Sequence, residues 1–527
     1  MNTLADPTLR AVSGATAPAG RAAHAVVIGS GFGGLAAAIR LGARGYRVTV
    51  LEKLERPGGR AFVHHRDGFT FDAGPTIVTA PFLLEELWTL CGRRMADHVT
   101  LRSLNPFYRI RFHDGSWIDC SGDEAAMRAE VLRLAPADLP GYERFLKESE
   151  RAYRLGFLEL GSKAFDTAGD LLAALPSMVR MKAWRTLHAA AARHLRDPRL
   201  RIAMSFHPLL IGGNPFAVTC VYSLITALER RHGVHWAMGG TGRLVEGLAE
   251  LVRSQGGEIR CGAEVARIEV DAGRATGVRL ADGTRLPADL VVSNADTSWT
   301  YRNLVEPRWR RHWTDRRIEA GRYSMGLFVW YFGLNRQYPD VGHHSILLGP
   351  RYRGLLDDIF NRHHLAEDFS LYLHRPTATD PGMAPPGCDT FYVLSPVPNL
   401  QAGVDWARQA EPYRQTIARF LDRNLMPGFE SHLVTSFVTT PKDFETRLLS
   451  YHGAAFGLEP RLTQSAWFRP HNRSEDVEGL YFVGAGTHPG AGIPGVLSSA
   501  KALETVLPPA PVVRAPTPTD GGILGHG

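Results

Sequence analysis

The sequence predicts an α/β fold, and three observations predict it. Near the start, the apolar run Ala25-Val26-Val27-Ile28 leads into Gly29-Ser30-Gly31-Phe32-Gly33-Gly34 and then Leu35-Ala36-Ala37-Ala38-Ile39-Arg40-Leu41, which reads strand, tight turn, helix. Arg47-Val48-Thr49-Val50-Leu51 reads as a second strand ending on Glu52. Far downstream, Gly479-Leu480-Tyr481-Phe482-Val483-Gly484 repeats the strand-to-glycine pattern ahead of a helix that starts near Val496. A chain of 527 residues that is 44% apolar can bury a core large enough for two or three domains.

The first unit has the spacing of a Rossmann-type dinucleotide-binding motif. Gly29 permits the turn, Gly31 lets the backbone approach a pyrophosphate, and Gly34 lets the helix pack closely on the strand, its N-terminus facing the phosphates. Ser30 and Gly33 belong to the same loop and complete this set of candidate cofactor contacts. Glu52 is placed to accept hydrogen bonds from an adenosine ribose. The fingerprint alone does not separate NAD from FAD.

In the middle of the chain, residues 239–252 read as a glycine-led helix. Residues 258–270 and 275–280 read as strands, with Ala281-Asp282-Gly283-Thr284 as a hairpin turn. Residues 325–334 form a dense apolar-aromatic strand, with 371–373 and 391–394 as partners. Such a sheet is either an ordinary core or the wall of an apolar channel, and periodicity does not choose between them.

Further strings carry a resemblance. They are Pro57-Gly58-Gly59-Arg60, Gly68-Phe69-Thr70-Phe71-Asp72-Ala73-Gly74-Pro75-Thr76 and Ala485-Gly486-Thr487-His488-Pro489-Gly490-Ala491-Gly492-Ile493-Pro494-Gly495. Ser465-Ala466-Trp467-Phe468-Arg469-Pro470-His471-Asn472-Arg473, Gly212-Gly213-Asn214-Pro215-Phe216 and Trp236-Ala237-Met238-Gly239-Gly240-Thr241-Gly242 join them. Together they make the chain, from about His24 to Leu507, resemble the bacterial-type phytoene desaturases, a carotenoid desaturase family of FAD-dependent oxidoreductases.

The resemblance implies FAD, with Gly59, Gly74 and Thr76 on its flavin side, Arg60 offering positive charge to phosphate oxygens, and Gly484, Gly486, Thr487, Gly492, Ile493 and Pro494 along the ribityl chain and ring. It places Val265 beside the adenine, the other reading being a buried strand residue, and returns residues 290–296 to the cofactor sheet. The expected architecture is therefore a Rossmann-like FAD-binding domain built from discontinuous segments, with a mixed-sheet substrate domain and a helical membrane-facing insert. Its boundaries are 24–95, 233–305 and 467–507 for the FAD-binding domain, 96–232 for the helical region and 306–466 for the substrate domain. Residues 1–23 and 508–527, rich in Pro, Ala and Gly, are expected to be disordered tails.

Composition narrows the setting to a cytoplasmic, peripheral membrane protein. No window has the roughly 18 uninterrupted apolar residues of a spanning helix. The odd, scattered cysteines Cys91, Cys120, Cys220, Cys261 and Cys388 are expected to be reduced core residues. The doublets His64-His65, His343-His344 and His363-His364 lack metal-ligand spacing, so no metal is expected and they are assigned to surface or loops. Between Leu171 and Arg201, seven basic residues (Arg180, Lys182, Arg185, Arg193, Arg196, Arg199, Arg201) face one acid, Asp197, in a chain of net charge +7. With Met178, Met181, Trp184 and Leu187 among them, they suggest a basic helix on an anionic membrane, the alternative being a solvated helix over the core. The rest is nearly charge-balanced and shows no nucleic-acid motif.

The activity that the resemblance implies is multi-step desaturation of phytoene to neurosporene and/or lycopene, by hydride transfer to FAD with loss of a proton from the neighbouring carbon. Later carotenoid intermediates are further substrates, and oxygen or a quinone is the electron acceptor. Asp170 is the candidate base, with a helix N-cap as its other role. Three rivals are a desaturase or ketolase of a later carotenoid, a flavin amine or porphyrinogen oxidase, and an isoprenoid carrier of the Rab GDP-dissociation-inhibitor type that uses no flavin.

Overall fold

The computed structural model describes residues 22–508, so nearly all of both expected tails lies outside the described residues. Strands His24–Ile28 and Arg47–Leu51 pair in parallel at the heart of a five-stranded sheet. Glu258–Arg260 extends it on one side, and Leu290–Ser293 followed by Leu480–Phe482 extends it on the other, all in parallel. Such strands are covered on both faces, which is why Val26, Val27, Val291 and Val292 are all fully buried and the sequence shows runs rather than alternation. Helix Phe32–Ala43 follows the first glycine turn and packs on helix Ile493–Glu504 from the far end of the chain. The latter begins three residues before the expected Val496, with Gly492 as N-cap and Pro494 in the first turn, where a missing N–H costs nothing.

The other segments follow the same logic. Thr241–Ser254 is the glycine-led helix, and Val265–Asp271, Arg274–Leu280 and Arg285–Pro287 form a separate antiparallel sheet whose second hairpin turns at Asp282-Gly283. A seven-stranded mixed sheet runs in the order Leu433–Thr439, Gly326–Leu334, Asp389–Val397, Leu371–His374, His344–Leu347, Tyr108–Arg111, Trp117–Cys120. Only the pairing of His344–Leu347 with Tyr108–Arg111 is parallel. Every residue of Gly326–Leu334 is buried, which accounts for its unbroken apolar run. Cross-strand register sets Phe437, Tyr331, Tyr392, His374 and His344 in one row across one face.

Three expectations are corrected. The basic segment is not one helix but three, Ala168–Met181, Leu187–Ala192 and Pro198–Ala203, each with its own N-cap. Its later arginines are tied to the body: Arg199 pairs with Asp197 and Asp114, and Arg201 donates to the Leu195 carbonyl. His343 and His344 are not surface residues but are buried with His374 beneath the cavity floor, because they enter a central strand of the sheet. Cys261 is exposed rather than in the core, since it follows the edge strand Glu258–Arg260. Among the described residues no helix is long and apolar enough to cross a membrane.

Candidate active site

One cavity runs between the parallel sheet, the mixed sheet and the helical region. At its nucleotide end lie Gly29, Gly31, Gly33, Glu52 and Val265. Gly29 has φ +88°, and its N–H donates to the Leu51 carbonyl at 2.7 Å, closing the turn. Ser30 lies just behind the lining, where its N–H and hydroxyl donate to one Glu52 oxygen at 2.8 and 2.5 Å, and Leu54 N–H donates to the other at 2.9 Å. The carboxylate is thus fixed in orientation at the strand end. Gly34 packs beneath the turn.

Close approach explains the distant glycine strings. A Cβ on Gly33 would lie 2.9 Å from the Gly484 Cα and 2.5 Å from Asn294 Oδ1, so the first and last glycine turns touch backbone to backbone across Asn294. A Cβ on Gly74 would lie 1.9 Å from the Arg60 carbonyl oxygen, which locks the 68–76 string onto the Gly59-Arg60 turn. Arg60, Gly59, Gly74 and Thr76 line the cavity, as do Gly492, Ile493 and Pro494. Gly484, Gly486 and Thr487 support the lining from behind, Thr487 by donating to the Pro470 carbonyl at 2.6 Å. Arg469, 1% exposed, donates to the carbonyls of Leu458, Gln464 and Ala485 and so ties the C-terminal string down.

The site carries uncompensated polarity. Arg60 donates to Ser450 at 2.9 Å, yet its Nε is buried without a partner, and burial lowers its pKa against the opposing charge of Asp296. A buried cation with a free donor beside a glycine cradle and the fixed Glu52 carboxylate fits the pyrophosphate and ribose of FAD. Asp72 ends strand Phe69–Asp72 and accepts from Thr241 N–H at 3.0 Å, while its other oxygen is buried and unpartnered. Burial pushes this carboxyl up to about 7 from its ordinary 3.8, against hydrogen bonds from Thr241.

The folded state therefore holds a proton on Asp72 that the unfolded chain has released. The stability this contributes is full below pH 3.8 and is lost as pH rises through about 7. At about 1.4 kcal/mol per pKa unit, roughly 4 kcal/mol is at stake. Asp72→Asn should flatten the fall in denaturant midpoint between pH 5 and pH 8.5. Identical pH profiles for the two proteins would remove Asp72 as the source.

The rest of the cavity is mostly apolar, with Leu209, Leu210, Ile225, Leu327, Val329 and Leu394 among its walls. Sequence reasoning missed several polar residues there. Asn294, at the junction of the glycine turns, lay within a string read only as a strand end. Glu229 is 3% exposed and is held by the Tyr108 hydroxyl at 2.7 Å and by His207 at 3.4 Å. Tyr372 and Tyr392 reach the cavity from adjacent strands and both bond the Thr76 hydroxyl, at 3.0 and 2.7 Å. No local motif marks them, since only strand register brings them together. Asp170 is not among the lining residues. It closes a capping box with Thr167 at the start of helix Ala168–Met181 and pairs with Lys163.

Residues 32–502 match the family described as flavin containing amine oxidoreductase. The chain is 51% identical to the neurosporene-forming phytoene desaturase of Cereibacter sphaeroides, over 94% of this chain and 97% of the relative. It is 49% identical to a lycopene-forming phytoene desaturase of a Paracoccus species (92% and 97% covered) and 34% identical to the all-trans-zeta-carotene desaturase of Myxococcus xanthus (93% and 94%). Among solved structures, an oxidoreductase from Methanosarcina mazei superposes with TM-score 0.62 at 19% identity, over 92% of this chain and 100% of that one. Putrescine oxidase bound to putrescine gives 0.61 at 14%, over 92% and 98%. These structures share the fold, and the sequence relatives set aside the flavin-free carrier. The chain is an FAD-dependent oxidoreductase that belongs to the flavin-containing amine oxidoreductase family and, within it, to the bacterial phytoene desaturases.

Proposed function

We propose that this chain desaturates phytoene in successive steps to neurosporene and/or lycopene, drawing substrate and later intermediates from a membrane. The observation that carries this reading is the continuity of one cavity, glycine-cradled and charged at one end and walled by aliphatic side chains at the other. When bound, FAD supplies a two-electron acceptor for hydride. Glu52, oriented by Ser30, would take the ribose hydroxyls, Gly29, Gly31, Gly33 and Arg60 the pyrophosphate, and Val265 the adenine, with Gly34 packed beneath the turn. Gly59, Gly74 and Thr76 would lie on one side of the ring system and Gly484, Gly486, Thr487, Gly492, Ile493 and Pro494 along the other. The protein's own contribution is alignment of a C–H bond in a slot walled by aliphatic side chains. Anaerobic incubation of the FAD-loaded protein with phytoene in liposomes tests the reading. Flavin bleaching with new long-wavelength polyene bands supports it, and bound FAD that stays oxidised points to a later carotenoid as substrate.

The membrane reading is supported by helix Ala168–Met181, of which Ala174 alone is buried. Leu172, Val179 and Trp184 are 65%, 58% and 61% exposed, and Leu158 and Leu175 add to the patch beside Arg180 and Lys182. A hydrocarbon of about forty carbons, at roughly 0.8 kcal/mol per buried methylene, does not leave a bilayer for water, so the enzyme must dock. Leu172→Asp/Val179→Asp should lower sedimentation with anionic vesicles about tenfold and leave FAD content unchanged. Undiminished sedimentation would move the docking face elsewhere. Oxygen or a quinone is the electron acceptor in this scheme.

A further inference from the structure

We propose that a buried tyrosine–histidine chain beneath the cavity floor receives the proton of the reaction: Tyr372 takes it from substrate carbon as it passes its own to His344. The inference rests on the desaturase reading above. Removing one vicinal hydrogen pair breaks two C–H bonds. One hydrogen leaves as hydride to FAD, and the other leaves as a proton whose bonding electrons become the new C=C. The hydride has an acceptor in the cofactor, and the proton needs one in a cavity whose walls are largely aliphatic.

The geometry points to one route. Tyr372 lines the cavity, and its hydroxyl lies 3.0 Å from the Thr76 hydroxyl and 2.8 Å from His344 Nδ1. Nδ1 of His374 lies 3.2 Å beyond. His344 and His374 are cross-strand partners, and Tyr372 precedes His374 by two residues on the same face, so strand register builds the chain. The Nε2 atoms of His343, His344 and His374 are all buried without a partner, whereas buried polar groups in proteins are normally satisfied.

The other acids that line the cavity are committed, and Asp72, which is not among the lining residues, accepts from Thr241. Glu52 is held by Ser30 and Leu54, Asp296 faces Arg60, Glu264 lies at the nucleotide end within 3.6 Å of Lys53, and Glu229 is held by Tyr108 and His207. Burial, and then neighbouring His343, hold His344 well below the ordinary histidine pKa, so it rests neutral with a lone pair to offer. It is a weak base, and a weak base suffices, because an allylic cation is a far stronger acid than imidazolium. Protonated at Nδ1, His344 faces the His374 ring. Reoxidation by an oxygen- or quinone-class acceptor consumes one proton with the two electrons and the hydride hydrogen. The same chain run in reverse therefore returns what it stored, and the net change is one hydrogen pair moved from substrate to acceptor.

Three measurements on the full FAD-loaded chain test this. In anaerobic single turnovers with phytoene liposomes, Tyr372→Phe and His344→Gln should each slow flavin reduction at least tenfold at unchanged FAD content and unfolding midpoint. The double variant should be no slower than the slower single one. The solvent deuterium isotope effect of the wild type should vanish in Tyr372→Phe. Histidine ¹⁵N spectra of the wild type, assigned with His344→Gln, should show His344 Nδ1 unprotonated at rest, a readout independent of turnover and of whether the variants fold.

Wild-type bleaching with an unaffected Tyr372→Phe rate overturns the chain while leaving the desaturase reading intact. So does a resting His344 that carries its proton on Nδ1, or a stoichiometric metal ion in the purified protein. A Glu229→Gln variant that is slowed while Tyr372→Phe is not would likewise overturn it, moving the role to Glu229. No bleaching in the wild type sinks the phytoene reading itself and points to a later carotenoid as substrate.

Discussion

Gly33→Val protein is expected to purify without flavin. The added Cβ would stand 2.9 Å from the Gly484 Cα, a backbone atom that cannot swing aside as a flexible side-chain end does, and 2.5 Å from Asn294 Oδ1. Relief requires prying the Leu480–Phe482 strand end from the first βα turn, which opens the cradle from both ends at once. Overpacking of this kind costs about 1–3 kcal/mol in ordinary cores, and here the strain falls on the cofactor site itself. The ratio of flavin absorbance to protein absorbance should fall below about a tenth of the wild-type value, with a lower denaturant midpoint. A surface control is Gly45→Ala, where φ is +89° but nothing lies within 4 Å, and it should lose about 1–2 kcal/mol to backbone strain and keep its flavin. Full flavin loading of Gly33→Val would show that the two turns need not touch.

The second large effect is expected at Arg469. Its guanidinium reaches the carbonyls of Leu458 and Ala485 at 3.0 Å and of Gln464 at 3.1 Å. Arg469→Met keeps much of the stem's volume and leaves these carbonyls without the donor. At about 1–3 kcal/mol for each buried group left unsatisfied, the total approaches the net stability of many domains. Expected results are a protein that is largely insoluble or loses FAD on gel filtration, and no rescue by Arg469→Lys, because one ammonium cannot span carbonyls on separate segments. A soluble, yellow Arg469→Met protein would mean that the 485–495 string is held by its own backbone alone.

What the sequence made legible was whatever is local. Strand, glycine turn and helix at residues 24–41, the strand ending on Glu52, and the Asp282-Gly283 hairpin are each dictated by neighbours within a few residues. The later resemblance added the meeting of three distant segments in one sheet. Tyr372, Tyr392 and His344 were illegible for the opposite reason. Each lies in a strand whose apolar pattern fits an ordinary core, and their common face depends on registers among three strands. His343 and His344 misled because a polar doublet reads as surface unless its strand is known to be central. The basic run at 171–201 misled because charge counting ignores Thr186 and Asp197, the N-caps that divide it into separate helices.

The order of strands in the parallel sheet has a consequence for how the molecule is made. His24–Ile28 emerges from the ribosome long before Leu480–Phe482, which lies beyond Leu290–Ser293 at the sheet's edge. At about 5–20 residues per second, the opening glycine turn waits on the order of tens of seconds for the segment that completes it. The complete cradle therefore exists only once Gly484 has been made and placed against Gly33.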